Sequence, residues 1–265
     1  MNTSVPLKTH LESERLRLAA EALERVLAEI ATVVQPGVTT LDLENVCRLA
    51  LARYGLQGVL EGYDNYPHLI CASVNNVAAH GLPGEYELRA GDLVTVDLAA
   101  ERAGYKTDGA WTYGVGKLGT EQRRLIRGAW RATLAGAAAA RAGRRLGDIG
   151  AAIVREAAKV GCTVVREFTG HGIGTELHEP PVVPHVAEEG TGAPIVPGMV
   201  LNIEPVVTLG DGRVTLLDDG WSYITTDGSL AAQFEITVSV RADRTDILTL
   251  GRHRPTLSAS APPYG

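Results

Sequence analysis

Apolar residues recur at three- and four-residue steps over Leu16, Ala19, Leu23, Leu27, Ile30 and Val34, a spacing that predicts an amphipathic helix. Thr9-His10-Leu11-Glu12 ahead of it has the capping-box pattern, Glu21 and Arg25 pair on its outer side, and Pro36-Gly37 ends it. A second helix is expected over about residues 40–54, with Leu43, Val46, Cys47, Ala50 and Leu51 inward and Gly55 as its C-terminal cap. Two more are expected at about residues 120–142 and 146–160, with Gly161 as the stop. Alternating or β-rich patterns predict strands near residues 70–74, 93–98, 110–115, 163–168, 199–207, 221–225, 232–240 and 247–250. Residues 251–265, rich in Pro, Ser and Ala, read as a poorly ordered tail.

The order helix, helix, strands therefore occurs twice, which prompts a search for internal repetition. Residues 36–55 laid on 142–161 match Gly37 to Gly143, Asp42 to Asp148, Leu43 to Ile149, Ala52 to Ala158 and Gly55 to Gly161, an offset of 106. Separately, Gly91-Asp-Leu-Val-Thr-Val-Asp97 lies on Gly198-Met-Val-Leu-Asn-Ile-Glu204 at an offset of 107. Two near-equal offsets from independent segments point to a duplicated α+β unit. The expected organisation is a single catalytic domain over residues 1–250, built from repeats of about 9–118 and 119–250.

The duplication draws attention to carboxylates. In residues 93–98, Val94, Val96 and Leu98 share one sheet face, and Leu93, Thr95 and Asp97 the other; the second copy puts Asn202 and Glu204 on the equivalent face. A buried carboxylate is costly unless paired or metal-bound, and two brought together by a symmetry axis repel unless a cation sits between them. Salt-bridged strand ends are the competing reading. Asp108 lies beyond an Arg102-Ala103-Gly104 hairpin turn, Glu235 sits in another apolar strand, and His171 lies between the glycines of Gly170-His-Gly-Ile-Gly174. Two Asp, two Glu and one His suit divalent manganese, iron or cobalt better than a closed zinc site.

Composition narrows the setting. The 265-residue chain is 45% hydrophobic, with a net charge of −6 and a pI near 5.7, so there is no basic footprint for nucleic acid or an anionic membrane. No run of ~18 apolar residues is present. Three distant cysteines, Cys47, Cys71 and Cys162, without a C-x-x-C, fit a reducing, cytoplasmic compartment.

Five motifs in order resemble the methionine aminopeptidases and their "pita-bread" relatives: Asn-Asn-Val-Ala-Ala-His-Gly at His80, Val-Asp-Leu at Asp97, Gly-His-Gly-Ile-Gly-x-x-x-His-Glu-x-Pro at His171 and His178, Asn-Ile-Glu-Pro at Glu204, and Gln-Phe-Glu at Glu235. The resemblance runs from about Leu16 to Leu250 and, on chain length, is to the type I bacterial enzymes. It implies two pseudo-symmetric halves around a curved antiparallel sheet with helices outside. It also implies two divalent ions (Mn, Fe(II), Co or Zn) held by Asp97, Asp108, His171, Glu204 and Glu235. Glu204 would double as general base, with water activated between the ions attacking the first peptide carbonyl. His80 and His178 would hydrogen-bond substrate around the scissile amide. The side-chain pocket would include Leu60, Tyr63, Tyr66, Cys71, Leu177 and Trp221. Implied partners are N-terminal methionyl peptides and nascent chains at the ribosome, for a cytoplasmic monomer with no nucleic-acid or membrane site. The chain departs from the family pattern at Ala99, Gly109-Ala110-Trp111, Leu177 and Ile236, which keeps a paralogous hydrolase of altered specificity as an alternative. Non-catalytic pita-bread binding proteins are another. A third, nucleotide-binding reading comes from Gly114-Val-Gly-Lys-Leu-Gly119, which matches G-x-G-x-x-G but falls mid-chain between the repeats.

Overall fold

The apolar stripes become four helices, α1 (His10–Ala31), α2 (Thr40–Arg53), α3 (Thr120–Ala139) and α4 (Leu146–Ala158). The computed structural model describes residues 4–249, so the expected tail at 251–265 lies outside the described residues. The capping box of α1 forms as its sequence predicts: Glu12 N–H donates to Thr9 Oγ1 at 3.3 Å and Thr9 N–H to Glu12 Oε2 at 2.8 Å. Leu16, Leu23, Leu27 and Ile30 are buried, while Val34 falls beyond the helix end. The third and fourth helices stop at Ala139 and Ala158, short of the expected 142 and 160.

All strand pairings among the described residues are antiparallel. In the first half the long strand Leu93–Arg102 pairs on one side with Tyr105–Gly114 and on the other with Cys71–Val74 and Gln57–Gly58. In the second, five strands run in the order Thr245–Ile247, Ile236–Val240, Val200–Ile203, Thr169–Gly172, Glu179–Pro184. Two three-stranded sheets complete the set, one built on Val206–Thr208 and one on Tyr223–Thr225. The two halves meet where Trp111 bridges Phe234 and Glu235 N–H donates to Ala110 O at 2.8 Å.

Backbone details recur at the sequence offsets. Gly37 N–H donates to Leu88 O and Gly143 N–H to Ile195 O; Leu56 N–H donates to Leu51 O and Cys162 N–H to Ala157 O. Isolated bridges join Thr39 to Glu87 and Arg145 to Pro194. Gly91 and Gly198, each just before its carboxylate strand, take φ of 98° and 94°, a conformation that glycine adopts at no steric cost.

Two expected strands are each broken in the middle. Residues 199–207 split at Glu204-Pro205, where proline has no N–H for a ladder, and 232–240 split at Phe234-Glu235. The breaks face each other. On one side of them Ala231–Gln233 pairs with Val206–Thr208; on the other Ile236–Val240 pairs with Val200–Ile203. Glu204 and Glu235 thus sit at a shared interruption in the ladder. The Gly114–Gly119 stretch links an antiparallel hairpin to α3 without a βαβ unit. A Cβ on Gly114 would come within 2.4 Å of Leu118 Cδ1 and one on Gly119 within 2.6 Å of Gln122 Oε1. Those glycines serve close packing of the crossover, which removes the nucleotide-binding reading.

Candidate metal centre

Asp97 and Asp108 come from one hairpin. Arg102 pairs with Tyr105 across Ala103 (φ 52°) and Gly104 (φ 82°), the two positive φ values a tight two-residue hairpin turn needs. The register then sets Asp97 opposite Ala110 and Asp108 opposite Ala99, so both carboxylates share one face. His171 comes from Thr169–Gly172, at a bulge after which the pairing shifts to Gly172 with Glu179. Its Nδ1 lies 2.9 Å from Gly172 O. A carbonyl only accepts, so Nδ1 carries the proton and the Nε2 lone pair faces the carboxylates, the orientation a metal-ligating histidine takes. His171 Nε2 is 3.3 Å from Glu204 Oε1 and 3.7 Å from Asp108 Oδ2.

Ligand atoms of Asp97, Asp108 and Glu235 lie within 4.8 Å of one another, as do those of His171, Glu204 and Glu235, and of Asp108, His171 and His178. These overlapping groups unite all five expected ligands. Burial lifts Asp97 to about 7. Burial, then Asp97, lifts Asp108 well above its usual range; burial, then Asp108, does the same for Glu204 and Glu235. Burial, with His178 adding to it, lowers His171 to about 4, which keeps the ring neutral. Among the described residues the buried Glu204 Oε1 has no hydrogen-bond partner, and two acceptor atoms 3.3 Å apart need a proton or a cation between them. The donor set therefore fits divalent cations. Asn202 supports it from below, donating to Glu235 Oε1 at 2.8 Å and accepting from Thr237 Oγ1 at 2.8 Å.

Around this centre the hydroxyl of Tyr63 and Nδ1 of His178 are 2.7 Å apart, and the His178 ring centroid is 4.3 Å from that of His171. His80 takes φ 55°, a strained value of the kind found at functional sites, and stacks edge-on with Phe168 and Tyr223. Burial lowers both His80 and His178, with the His178 charge adding to the effect on His80. Cys71 lies opposite Asp97, and Tyr66 meets Trp221 at 5.0 Å between ring centroids. Leu177 and Ala99 are buried in a small apolar cluster against which Leu60 packs. Two of the other departures point away from the centre: a Cβ on Gly109 would touch Leu23 and Leu27 of α1, and Ile236 is fully buried in the main core.

Sequence reasoning missed His185. It is 1% exposed, and its Nε2 accepts the Glu204 N–H at 3.3 Å in place of the ladder partner lost at the strand break. No motif spacing singles out Pro184-His-Val, so only the fold reveals it. Phe168 and Tyr223, which frame His80, were missed for the same reason.

Residues 14–242 match the model of metallopeptidase family M24. A methionine aminopeptidase of Clostridium perfringens is 39% identical over 92% of this chain and 98% of its own. Among solved structures, methionine aminopeptidase of Rickettsia prowazekii superposes with a TM-score of 0.91 at 34% identity, over 93% of this chain and 100% of that one. The Thermotoga maritima methionine aminopeptidase does so with a TM-score of 0.90 at 36% identity, over 93% and 99%.

Proposed function

Because this chain belongs to metallopeptidase family M24 and has its pita-bread fold, we propose that it is a methionine aminopeptidase, with its centre formed by Asp97, Asp108, His171, Glu204 and Glu235. The protein is a metal-dependent hydrolase that removes the N-terminal methionine from peptides and nascent proteins. The observation that carries the site assignment is the convergence of four carboxylates, two buried (Asp108, Glu235) and two half-buried (Asp97, Glu204), on a neutral imidazole, in three ligand-atom groups that share members.

Two divalent cations held by Asp97, Asp108, His171, Glu204 and Glu235 would supply Lewis acidity there, polarising the scissile carbonyl and acidifying a water. Manganese, iron(II), cobalt and zinc all tolerate these donors, and availability selects among them. Glu204 would act as the general base, taking a proton from the attacking water. His178 and His80, neutral at pH 7, hydrogen-bond the substrate amide and steady the oxygen on which charge develops. Tyr63, Tyr66, Cys71, Leu177 and Trp221 line the pocket for the departing side chain. The packing of Gly109 and Ile236 away from the centre supports methionine over an altered specificity.

The recurring hydrogen bonds at offsets of 106 and 107 support the reading of residues 1–250 as one catalytic domain of two repeats. Three free, buried cysteines support a cytoplasmic setting, and among the described residues no helix is long and apolar enough to cross a membrane. A monomer acting on nascent chains at the ribosome completes the proposal.

With manganese or cobalt(II) the purified protein is expected to release methionine from Met-Ala and Met-Gly peptides, and Asp108→Ala to abolish release. Metal binding without cleavage across a panel of N-terminal residues would overturn the reading.

A further inference from the structure

His178 projects from a short turn, residues 173–179, that has no regular secondary structure until Glu179 enters its strand. What fixes this turn comes from the far end of the chain. The segment before α1 is docked by Lys8 N–H donating to Gly198 O at 2.7 Å. That docking delivers the Lys8 ammonium to Glu179 Oε2, in an ion pair whose side chains are each 7% exposed. The other oxygen, Oε1, accepts the N–H groups of Thr175 at 2.9 Å and Glu176 at 3.2 Å. One carboxylate thus ties the N-terminal segment to the backbone of the turn. The fit is close: a Cβ on Gly174 would lie 2.3 Å from Lys8 Cε and 2.5 Å from Glu179 Oε1. Lys106 N–H holds the turn from the other side through Gly174 O at 2.8 Å.

We propose that Lys8 and Glu179 are positioning residues, a buried clamp through which the N-terminal segment holds the 173–179 turn so that His178 meets both Tyr63 and the substrate. This rests on the assignment of His178 to substrate binding. A buried pair is a weak source of net stability but a strong one of fixed geometry, since separating it strands a charge. The chemistry it serves tolerates little displacement, because a shift of about 1 Å from a remote change can cost about a hundred-fold in rate. The side chains of Lys8 and Glu179 bond to each other and to the backbone of the turn rather than to the metal ligands, so loss of the clamp is expected to spare metal affinity.

The test compares Lys8→Met, Lys8→Arg, Gly174→Ala and His178→Ala in the full chain. In the metal-free protein, Lys8→Met and Gly174→Ala are expected to shift or broaden the His178 imidazole resonances in a histidine-selective NMR spectrum, while those of His68 stay in place. In the metal-loaded protein, both are expected to lower kcat for a Met-Ala peptide about ten- to a hundred-fold, with KM within about two-fold. Lys8→Arg is expected to recover most of the loss, and Lys8→Met to cost nothing further in a His178→Ala background. Unchanged His178 resonances, or an equal loss with and without His178, would overturn the clamp. A wild-type protein that cleaves no N-terminal residue would overturn the functional reading instead, and the NMR comparison would still decide the clamp.

Discussion

Burial pushes Asp97, Asp108, Glu204 and Glu235 toward protonation, neighbouring carboxylates add to it at the last three, and a bound cation would relieve both influences. Glu204 is held through its backbone by its N–H to His185, whose ring stays neutral because burial drives it down to about 3, and by Gln233 Nε2 donating to its carbonyl at 3.4 Å. His185→Ala is therefore expected to weaken manganese binding about ten- to a hundred-fold by calorimetry, the usual result of removing a group that orients a ligand. Unaltered affinity would show that Glu204 is held by other means. Glu24 on α1 titrates away from this centre: burial, then Glu21, lifts it to about 7, against the opposing pull of Arg25. The folded state then holds its proton more tightly than the unfolded chain does. The stability tied to that proton is present below about pH 4.5 and is lost as pH rises toward 7. Glu24→Gln is expected to raise the urea midpoint at pH 8 and leave it nearly unchanged at pH 4.5; equal shifts at both would refute the cause.

Among the elements, symmetry-related positions make different contacts, which gives a comparison internal to the molecule. Asp42 caps α2, accepting among the described residues from Thr39 alone, its N–H at 2.9 Å and its hydroxyl at 2.7 Å. Asp148 caps α4 through Arg145 N–H at 2.9 Å but also accepts Gly190 N–H at 2.6 Å, tying in the following loop. Asp42→Ala is expected to lower the midpoint of chemical denaturation slightly, and Asp148→Ala to lower it distinctly more. Equal losses would mean that the loop contact is idle. Helices and the carboxylate hairpin were legible in the sequence because their signals are local: a 3.6-residue stripe, a capping box, and a turn at Arg102-Ala103-Gly104, which the structure narrows to Ala103-Gly104 with strands reaching Arg102 and starting at Tyr105. The short strands at Val77–Ala79, Glu179–Pro184 and Val214–Leu216 were not, since so few residues carry too little periodicity and their pairing partners lie far along the chain. The breaks at Glu204 and Phe234-Glu235 were hidden because both flanks read as apolar strand, and the interruption exists only where two ladders meet. His185 and the Lys8–Glu179 pair were unreadable for a related reason, the latter joining residues 171 positions apart.

At the scale of the whole molecule, the centre belongs to neither half. Asp97 and Asp108 come from the first, His171, Glu204 and Glu235 from the second, and the Trp111–Phe234 bridge and the Glu235–Ala110 hydrogen bond hold the two together. One strand carboxylate recurs in each half at the offset of 107, Asp97 and Glu204, and the others do not recur: Asp108 has Gln233 in its equivalent strand position, while Glu235 corresponds to Ala110. The proposed assignment therefore ties metal and activity together at one seam. The most direct test is to titrate the metal-free protein with manganese while following release of methionine from a Met-Ala peptide. A centre shared by the two halves predicts no release without metal, a rise to a plateau by two ions per chain, and its loss on chelation. Release that is indifferent to chelation, or full metal binding with no N-terminal residue released, would contradict it.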